Sequence, residues 1–285
     1  MNLGEVAGGI IGNRLYLVGE GNRSTIAYDL NSGTWSSNLA PRPFVGHHHA
    51  AEVFGGKLYI LGALGTVGGK VQIYDPGLDR WTLGADMPFA AGSSSSAVIG
   101  GQIYVAGGII GSTGTRRTAR YDPASNQWTE LAPMPADRNH TASATDGRRL
   151  FVFGGRNGAN ILANGFSDVF IYDPATNTWT GSHADPSIPP LPIARGGMGK
   201  AVFLNGEFYV IGGETVNGPG ATPNGVYDRV DVFNPATGRW RQAADMLTAR
   251  HGIFPLLHGG RIYVAAGGVR AAGSSSNILE IFTPG

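Results

Sequence analysis

AGSSSSAVIGGQIYVAGGIIGSTGTRRTARYDPASNQWTELAPMP, residues 91–135, is the stretch from which the fold can be read. Residues 93–99 alternate small and apolar side chains, as expected of a strand with little room on its inner face. Gly100-Gly101 supplies the two positive-φ positions that a two-residue hairpin requires. Gln102–Ala106 is apolar after its first residue, the pattern of a strand covered on both faces. Gly107-Gly108 ends it where neighbouring backbones come too close for a Cβ. A third strand is expected over 118–121, followed by a turn on Asp122-Pro123-Ala124-Ser125-Asn126. A fourth strand then carries Trp128.

The unit recurs along the whole chain. Tyr16, Tyr59, Tyr104, Phe151, Tyr209 and Tyr263 each sit in an apolar run that ends near glycine, at intervals of 43, 45, 47, 58 and 54 residues. Five units carry an aromatic seven residues before a Trp: Tyr28/Trp35, Tyr74/Trp81, Tyr121/Trp128, Tyr172/Trp179 and Phe233/Trp240. The hairpin position recurs as Gly12-Asn13, Gly55-Gly56, Asp146-Gly147, Asn205-Gly206 and Gly259-Gly260. A repeat of about 50 residues with this punctuation resembles the kelch repeat, in which each copy is one blade of a β-propeller. The resemblance implies an all-β, six-bladed propeller in one domain. Its blades fall at about residues 1–43, 44–91, 92–138, 139–195, 196–250 and 251–285. Blades 1–5 are expected to have four strands, with the Trp and its partner aromatic packed between blades. Base-stacking platforms would not need such regular spacing.

The last blade is incomplete. ILEIFTPG, residues 278–285, reads as a third strand that stops where a fourth should begin, and no Trp precedes the first unit. The simplest expectation is that residues upstream in a longer protein supply that strand. A three-stranded blade would leave an edge through which copies could associate, the chain being otherwise a monomer.

Charged residues are 14% of the chain and Gly numbers 46, a composition of turns and short strands rather than of surface ion pairs. A net charge of +1 gives no global field for nucleic acid or an anionic membrane. No run of 18 apolar residues occurs, and MNLGEVAGG lacks the basic and apolar regions of a signal peptide. The compartment stays open. With no Cys there is no disulfide, no thiolate metal site and no cysteine nucleophile. It also excludes the Tyr–Cys cofactor of the kelch-type copper oxidases. Only Lys57, Lys70 and Lys200 are lysines among the basic residues, a bacterial-looking usage.

Function concentrates on loops held by a rigid scaffold. The irregular connections are 108–118, 156–167, 181–195 and 214–229, and three of these four come from blades 4 and 5. They are expected to raise a wall beside the central opening. Arg42, Arg138, Arg195 and Arg250 recur at one phase just before the inner strand. Either they bond carbonyls between blades, or they ring the mouth and hold acidic groups bidentately. Arg156 and Arg270 follow the glycine pair by one or two residues, where exposed loop side chains are expected. The expected ligand site is Arg116, Arg138, His140, Arg156, Arg195, Glu214, Arg250 and Arg270.

His47-His48-His49 invites a metal, but on a strand only His47 and His49 share a side, so a polar lining is the expectation and no metal or cofactor is assigned. The glycine pairs are not followed by helical periodicity, which excludes a phosphate-binding loop. No GxSxG, no HExxH and no close carboxylate pair marks a hydrolase. No catalytic residue is assigned. The leading expectation is a non-enzymatic interaction module for a protein or an acidic ligand. A carbohydrate-directed protein is the alternative, lectin-like or similar to the kelch sialic-acid epimerases, with Glu214 moving protons. A structural or engineered scaffold is the third.

Overall fold

The computed structural model describes residues 1–65, 67–158 and 162–284. Residues 159–161 of the 156–167 connection lie outside them. Six antiparallel blade sheets follow one another along the chain, each built in sequence order from its inner to its outer strand, and a two-stranded ribbon, Ile109–Ile110 with Thr113–Gly114, lies within the blade 3 connection. Blade 1 pairs Ala7–Ile11, Arg14–Val18, Ile26–Asp29 and Thr34–Ser36. Blade 2 pairs Ala50–Phe54, Lys57–Leu61, Val71–Asp75 and Arg80–Leu83. Blade 3 pairs Ser95–Ile99, Gln102–Ala106, Thr118–Asp122 and Gln127–Leu131. Blade 4 pairs Ala142–Thr145, Leu150–Gly155, Phe166–Asp173 and Thr178–Gly181. Blade 5 pairs Val202–Leu204, Glu207–Ile211, Val230–Asn234 and Arg239–Gln242. Blade 6 has three strands, Leu256–His258, Arg261–Ala265 and Leu279–Phe282. No helix occurs among the described residues. The chain is thus an all-β, six-bladed propeller, and among the described residues blade 6 has three strands, as the sequence predicts.

The inner strands touch their neighbours all the way round, blade 6 against blade 1 included. The core is therefore not inside a blade but between blades. Ala50, Leu61 and Val71 of blade 2 pack on Ile103, Val105 and Tyr121 of blade 3, and equivalent clusters fill the other seams. The second strand of each blade is buried on both faces, which is why it reads as continuously apolar.

The recurring Tyr, Asn and Trp hold one blade to the one before it. Tyr121 stacks on Trp128 with ring centroids 5.0 Å apart. Its hydroxyl donates to Asn126 Oδ1 at 2.5 Å, and that oxygen also accepts from Ala85 N of blade 2 at 2.7 Å. Asn177 repeats this with Tyr172 and Ala132, and Asp79 with Tyr74 and Ala40. Asp79, Asn126 and Asn177 all have φ between 44° and 56°, a conformation that Asn and Asp tolerate better than most residues. Trp81, Trp128, Trp179 and Trp240 each donate Nε1 to a carbonyl of the preceding blade. Among the described residues Trp35 meets no outer strand of blade 6, and it is 45% exposed.

The ring closes on Leu3. Leu3 N donates to Ser276 O at 2.9 Å, and Gly267 N donates to Leu3 O at 3.0 Å. At other seams Gly108, Gly155 and Gly213 donate in the same way to Arg138, Arg195 and Arg250. Leu3 therefore fills, at the blade 6–blade 1 seam, the position that an arginine fills elsewhere.

Candidate functional site

Three of the recurrent arginines are internal. Arg42 donates to the carbonyls of Gly19, Asn22 and Gly46 at 2.6–2.8 Å. Arg195 donates to Gly212 O at 2.7 Å and pairs with Asp231 at 2.8 Å, and Arg250 donates to Ala266 O at 2.8 Å. All three are 0% exposed. A strand that ends at a glycine pair leaves carbonyls without ladder partners, and a guanidinium with five N–H groups can serve several of them at once. Of the two roles open in the sequence, these three take the first. Arg138 is buried, pairs with Asp168 at 2.5 Å and lies 3.7 Å from the Phe166 ring centroid. Arg116 and Arg270 are exposed.

A second set of residues meets on the axis. Glu5, His48, Ser93, His140, Gly197 and Gly252, one from each blade, share a positive φ between 42° and 67°. Backbone bonds link them around the mouth: Ser93 N to His48 O at 2.7 Å, His140 N to Ser93 O at 3.2 Å, Gly252 N to Gly197 O at 2.7 Å. Because the first four carry side chains there, the mouth is filled rather than open. His48 lies 3.2 Å from Glu5, and its ring meets that of His140 edge-on at 4.7 Å. His251 adds Nε2 at 3.3 Å from Glu5 and 3.7 Å from Glu214. Arg156 pairs with the other oxygen of Glu214, and Ala272 N donates to Glu214 Oε2 at 2.8 Å.

The electrostatics follow from burial and this alternation of charge. Burial opposes the ionised form of Glu5, yet His48 and His251 outweigh it and hold the carboxyl well below its usual range. Burial likewise opposes the charge of His251, but its bond to Glu5 and the field of Glu214 raise its pKa above the ordinary value. Burial, reinforced by neighbouring cations, pushes His140 down and keeps it neutral. Glu5, Glu214 and His251 offer donor atoms within 4.8 Å of one another, a set that suits a cation in principle. Arg156 already supplies positive charge there.

Of the eight residues expected at the site, His140, Arg156 and Glu214 are brought together. Arg116, Arg138, Arg195, Arg250 and Arg270 stand apart from that cluster. Arg156 corrects one expectation: it is not an exposed loop residue but 4% exposed. The second strand of blade 4 runs on to Gly155, and Arg156 then bridges to Asn139, which turns the side chain inward. The carboxylate pair not visible in the sequence exists in space as Glu5 and Glu214. Glu5 is not among the expected residues, although it stands two residues before its inner strand, as His48, Ser93 and His140 do.

Above the cluster, the connections of blades 4, 5 and 6 are tied together. Val216 N donates to Leu162 O at 2.8 Å, and Ala271 N donates to Asn224 O at 2.8 Å. The described parts of these three connections are thus linked to one another through the backbone.

Comparison with known proteins agrees with this architecture. Residues 91–135, 137–181 and 196–247 match the model of the Kelch motif. Kelch-like protein terF of Aspergillus terreus is 28% identical over 273 residues, covering 90% of this chain and 57% of that protein. Beta-scruin of Limulus polyphemus is 26% identical over 267 residues, covering 92% of this chain and 23% of that protein. The chain spans just over half the length of the first relative and under a quarter of the second. The solved structure of YjhT superposes with a TM-score of 0.83 at 16% identity, over 99% of this chain and 95% of that one, a likeness of fold.

Proposed function

This chain belongs to the kelch-repeat β-propellers, and we propose that within that fold it is a non-enzymatic binding module. Its binding surface is the wall of blade 4–6 connections beside the axial mouth, and its ligand is a protein segment or small molecule with acidic groups. The observation that carries this is the tying of Leu162 to Val216 and of Asn224 to Ala271. Loops fixed before binding lose little entropy when a partner arrives. Arg270 stands exposed one residue from Ala271, and Arg116 is exposed on the blade 3 connection. Both are available to carboxylates. The six arginine, histidine and glutamate side chains at the axis, Glu5, His48, His140, Arg156, Glu214 and His251, brace the wall from beneath.

The sugar-directed alternative needs Glu214 to exchange a proton with a ligand. Glu214 is 2% exposed, and its oxygens are engaged by Arg156, His251 and the Ala272 amide. That engagement favours the binding module. The chain is a monomer in this reading, with the open edge of the incomplete blade 6 as the place where copies would associate; sedimentation at rising concentration tests this.

The test of function uses a fluorescein-labelled oligo-aspartate peptide followed by anisotropy. Binding should weaken as salt rises, because the charges involved are solvent-facing. Arg270→Glu should weaken it at least about fivefold with unchanged thermal stability. Binding that ignores both salt and this charge reversal would overturn the proposal.

A further inference from the structure

The opposite end of the channel carries a second cavity with a different chemistry. It opens on the face of the short hairpin turns and has a volume of about 310 Å³. Ile10, Val53, Val98, Val202, Leu256 and Phe254 give it apolar walls. Its inner end is closed by one ion pair, Lys200 Nζ of blade 5 with Glu52 Oε1 of blade 2. In a six-membered ring these blades face each other, so the pair spans the channel.

An ion pair is a costly way to plug an apolar channel, since desolvating both charges cancels much of their attraction and a packed hydrophobic plug serves stability as well. The pair is also incompletely used. Ser96 Oγ and Lys200 Nζ both reach the same oxygen, Glu52 Oε1, Ser96 at 2.7 Å. Among the described residues no side chain takes the other Glu52 oxygen or a second ammonium proton. The side chains keep 8% and 16% of their surface, and both line the cavity. A donor and an acceptor of zero net charge thus stand side by side at the bottom of an apolar funnel of ligand size.

We infer that this funnel is a second binding site, taking a small uncharged amphiphile whose head group both donates and accepts, such as a primary carboxamide on an apolar tail. The tail fills the funnel, the carbonyl accepts from Lys200 Nζ and the amide donates to Glu52. A charged head is disfavoured: an anion meets Glu52 and a cation meets Lys200, each without a counter-charge of its own. The site is independent of the loop wall, which lies on the other face.

The experiment is a titration of the full chain with hexanamide, watched through the methyl NMR signals of Ile, Leu and Val. Saturable shifts are expected for Ile10, Val53, Val98, Val202 and Leu256, half-complete at about 1 mM or below, with Val216 on the far face unmoved. Val98→Phe, which directs a ring into the open funnel, should weaken binding at least about tenfold. Hexanoate and hexylammonium should each bind at least about fivefold more weakly than hexanamide to the unaltered protein. The double change Glu52→Gln with Lys200→Met keeps the charge balance and should erase that preference. No shift in the funnel methyls, equal binding by Val98→Phe, or hexanoate binding more tightly than hexanamide would each overturn the inference. The charged-head comparison needs no variant, so it decides the matter even if the double change fails to fold.

Discussion

The indole Nε1 of Trp128 donates to the carbonyl of Ala85 at 2.9 Å, a bond from blade 3 to blade 2. Three other tryptophans repeat it, and Trp35 alone among the five does not. Trp128 should therefore behave as core and Trp35 as surface. Trp128→Ala is expected to cost about 3–5 kcal/mol through lost burial and a cavity at the seam. Trp35→Ala should cost about 1 kcal/mol or less, because nearly half of it already faces water. Urea denaturation of the two variants measures the difference. Equal costs would show that the tryptophans do not hold the seams.

Arg156 and Glu214 form an almost fully buried pair, with side-chain exposures of 5% and 3%. Removing the cation leaves a carboxylate facing Glu5 with only His251 between them. Arg156→Ala should therefore destabilise by about 3–5 kcal/mol, the cost of stranding a buried charge. Adding Glu214→Gln should recover part of that loss, since the stranded charge is then gone. Arg270→Ala, on an exposed side chain, should stay within about 0.5 kcal/mol. Arg156→Ala no more harmful than Arg270→Ala would mean that the axial cluster does not brace the fold.

These two cases mark what the sequence reveals and what it withholds. The Trp series, the glycine hairpins and the missing strand of blade 6 are all legible, because each is a local pattern repeated at one phase. The arginines are legible as a series but not in depth. Nothing local distinguishes a guanidinium turned to solvent from one turned to stranded carbonyls, and a charged residue is ordinarily expected outside. Arg195 and Arg250 are inside because their strands end beneath them. Glu5 is hidden for another reason. Its meeting with His48, His251 and Glu214 depends on how narrow the ring is at that level, which no single repeat encodes.

His49 makes the fold sensitive to acid. Arg42 can only donate, so His49 Nε2 accepts from it at 2.5 Å, and Nδ1 donates to Gly62 O at 2.5 Å. Burial, then the charge of Arg42, pulls its pKa from 6.5 to about 3. The unfolded chain takes up a proton below pH 6.5 while the folded chain does not until about pH 3. Stability from this group is thus present above pH 6.5 and lost as pH falls towards 3. At about pH 4.5 the loss should be about 2–3 kcal/mol. His49→Gln keeps an acceptor for Arg42 and a donor for Gly62, and should show a flatter decline in urea midpoints between about pH 7 and about pH 4.5. His251 works in the opposite sense, its contribution falling as pH rises through its raised pKa. A decline in His49→Gln as steep as that of the unaltered protein would remove His49 as the cause.

Leu3 and Ser276 make the one β-bridge between the N-terminal segment and blade 6 among the described residues, alongside single bonds from Gly267 N to Leu3 O and from Val6 N to Gly252 O, in a ring whose other seams are crossed by covalent connections. The bonds run both ways, Leu3 N to Ser276 O at 2.9 Å and Ser276 N to Leu3 O at 3.3 Å. Opposed residues in such a pair have Cα atoms about 5.5 Å apart, within disulfide range. The chain has no Cys, so Leu3→Cys with Ser276→Cys creates one bond with no competitor. That bond would close a loop of nearly the whole chain, where the entropy removed from the unfolded state is near its maximum, about 5–6 kcal/mol before losses from replacing Leu3. If the seam is where unfolding starts, the oxidised double variant should also unfold more slowly, because the seam then cannot open first. Reduction should return it to the unaltered protein's rate or faster, since Leu3 itself is buried. An oxidised variant that gains equilibrium stability but unfolds at the old rate would place the first opening at another seam.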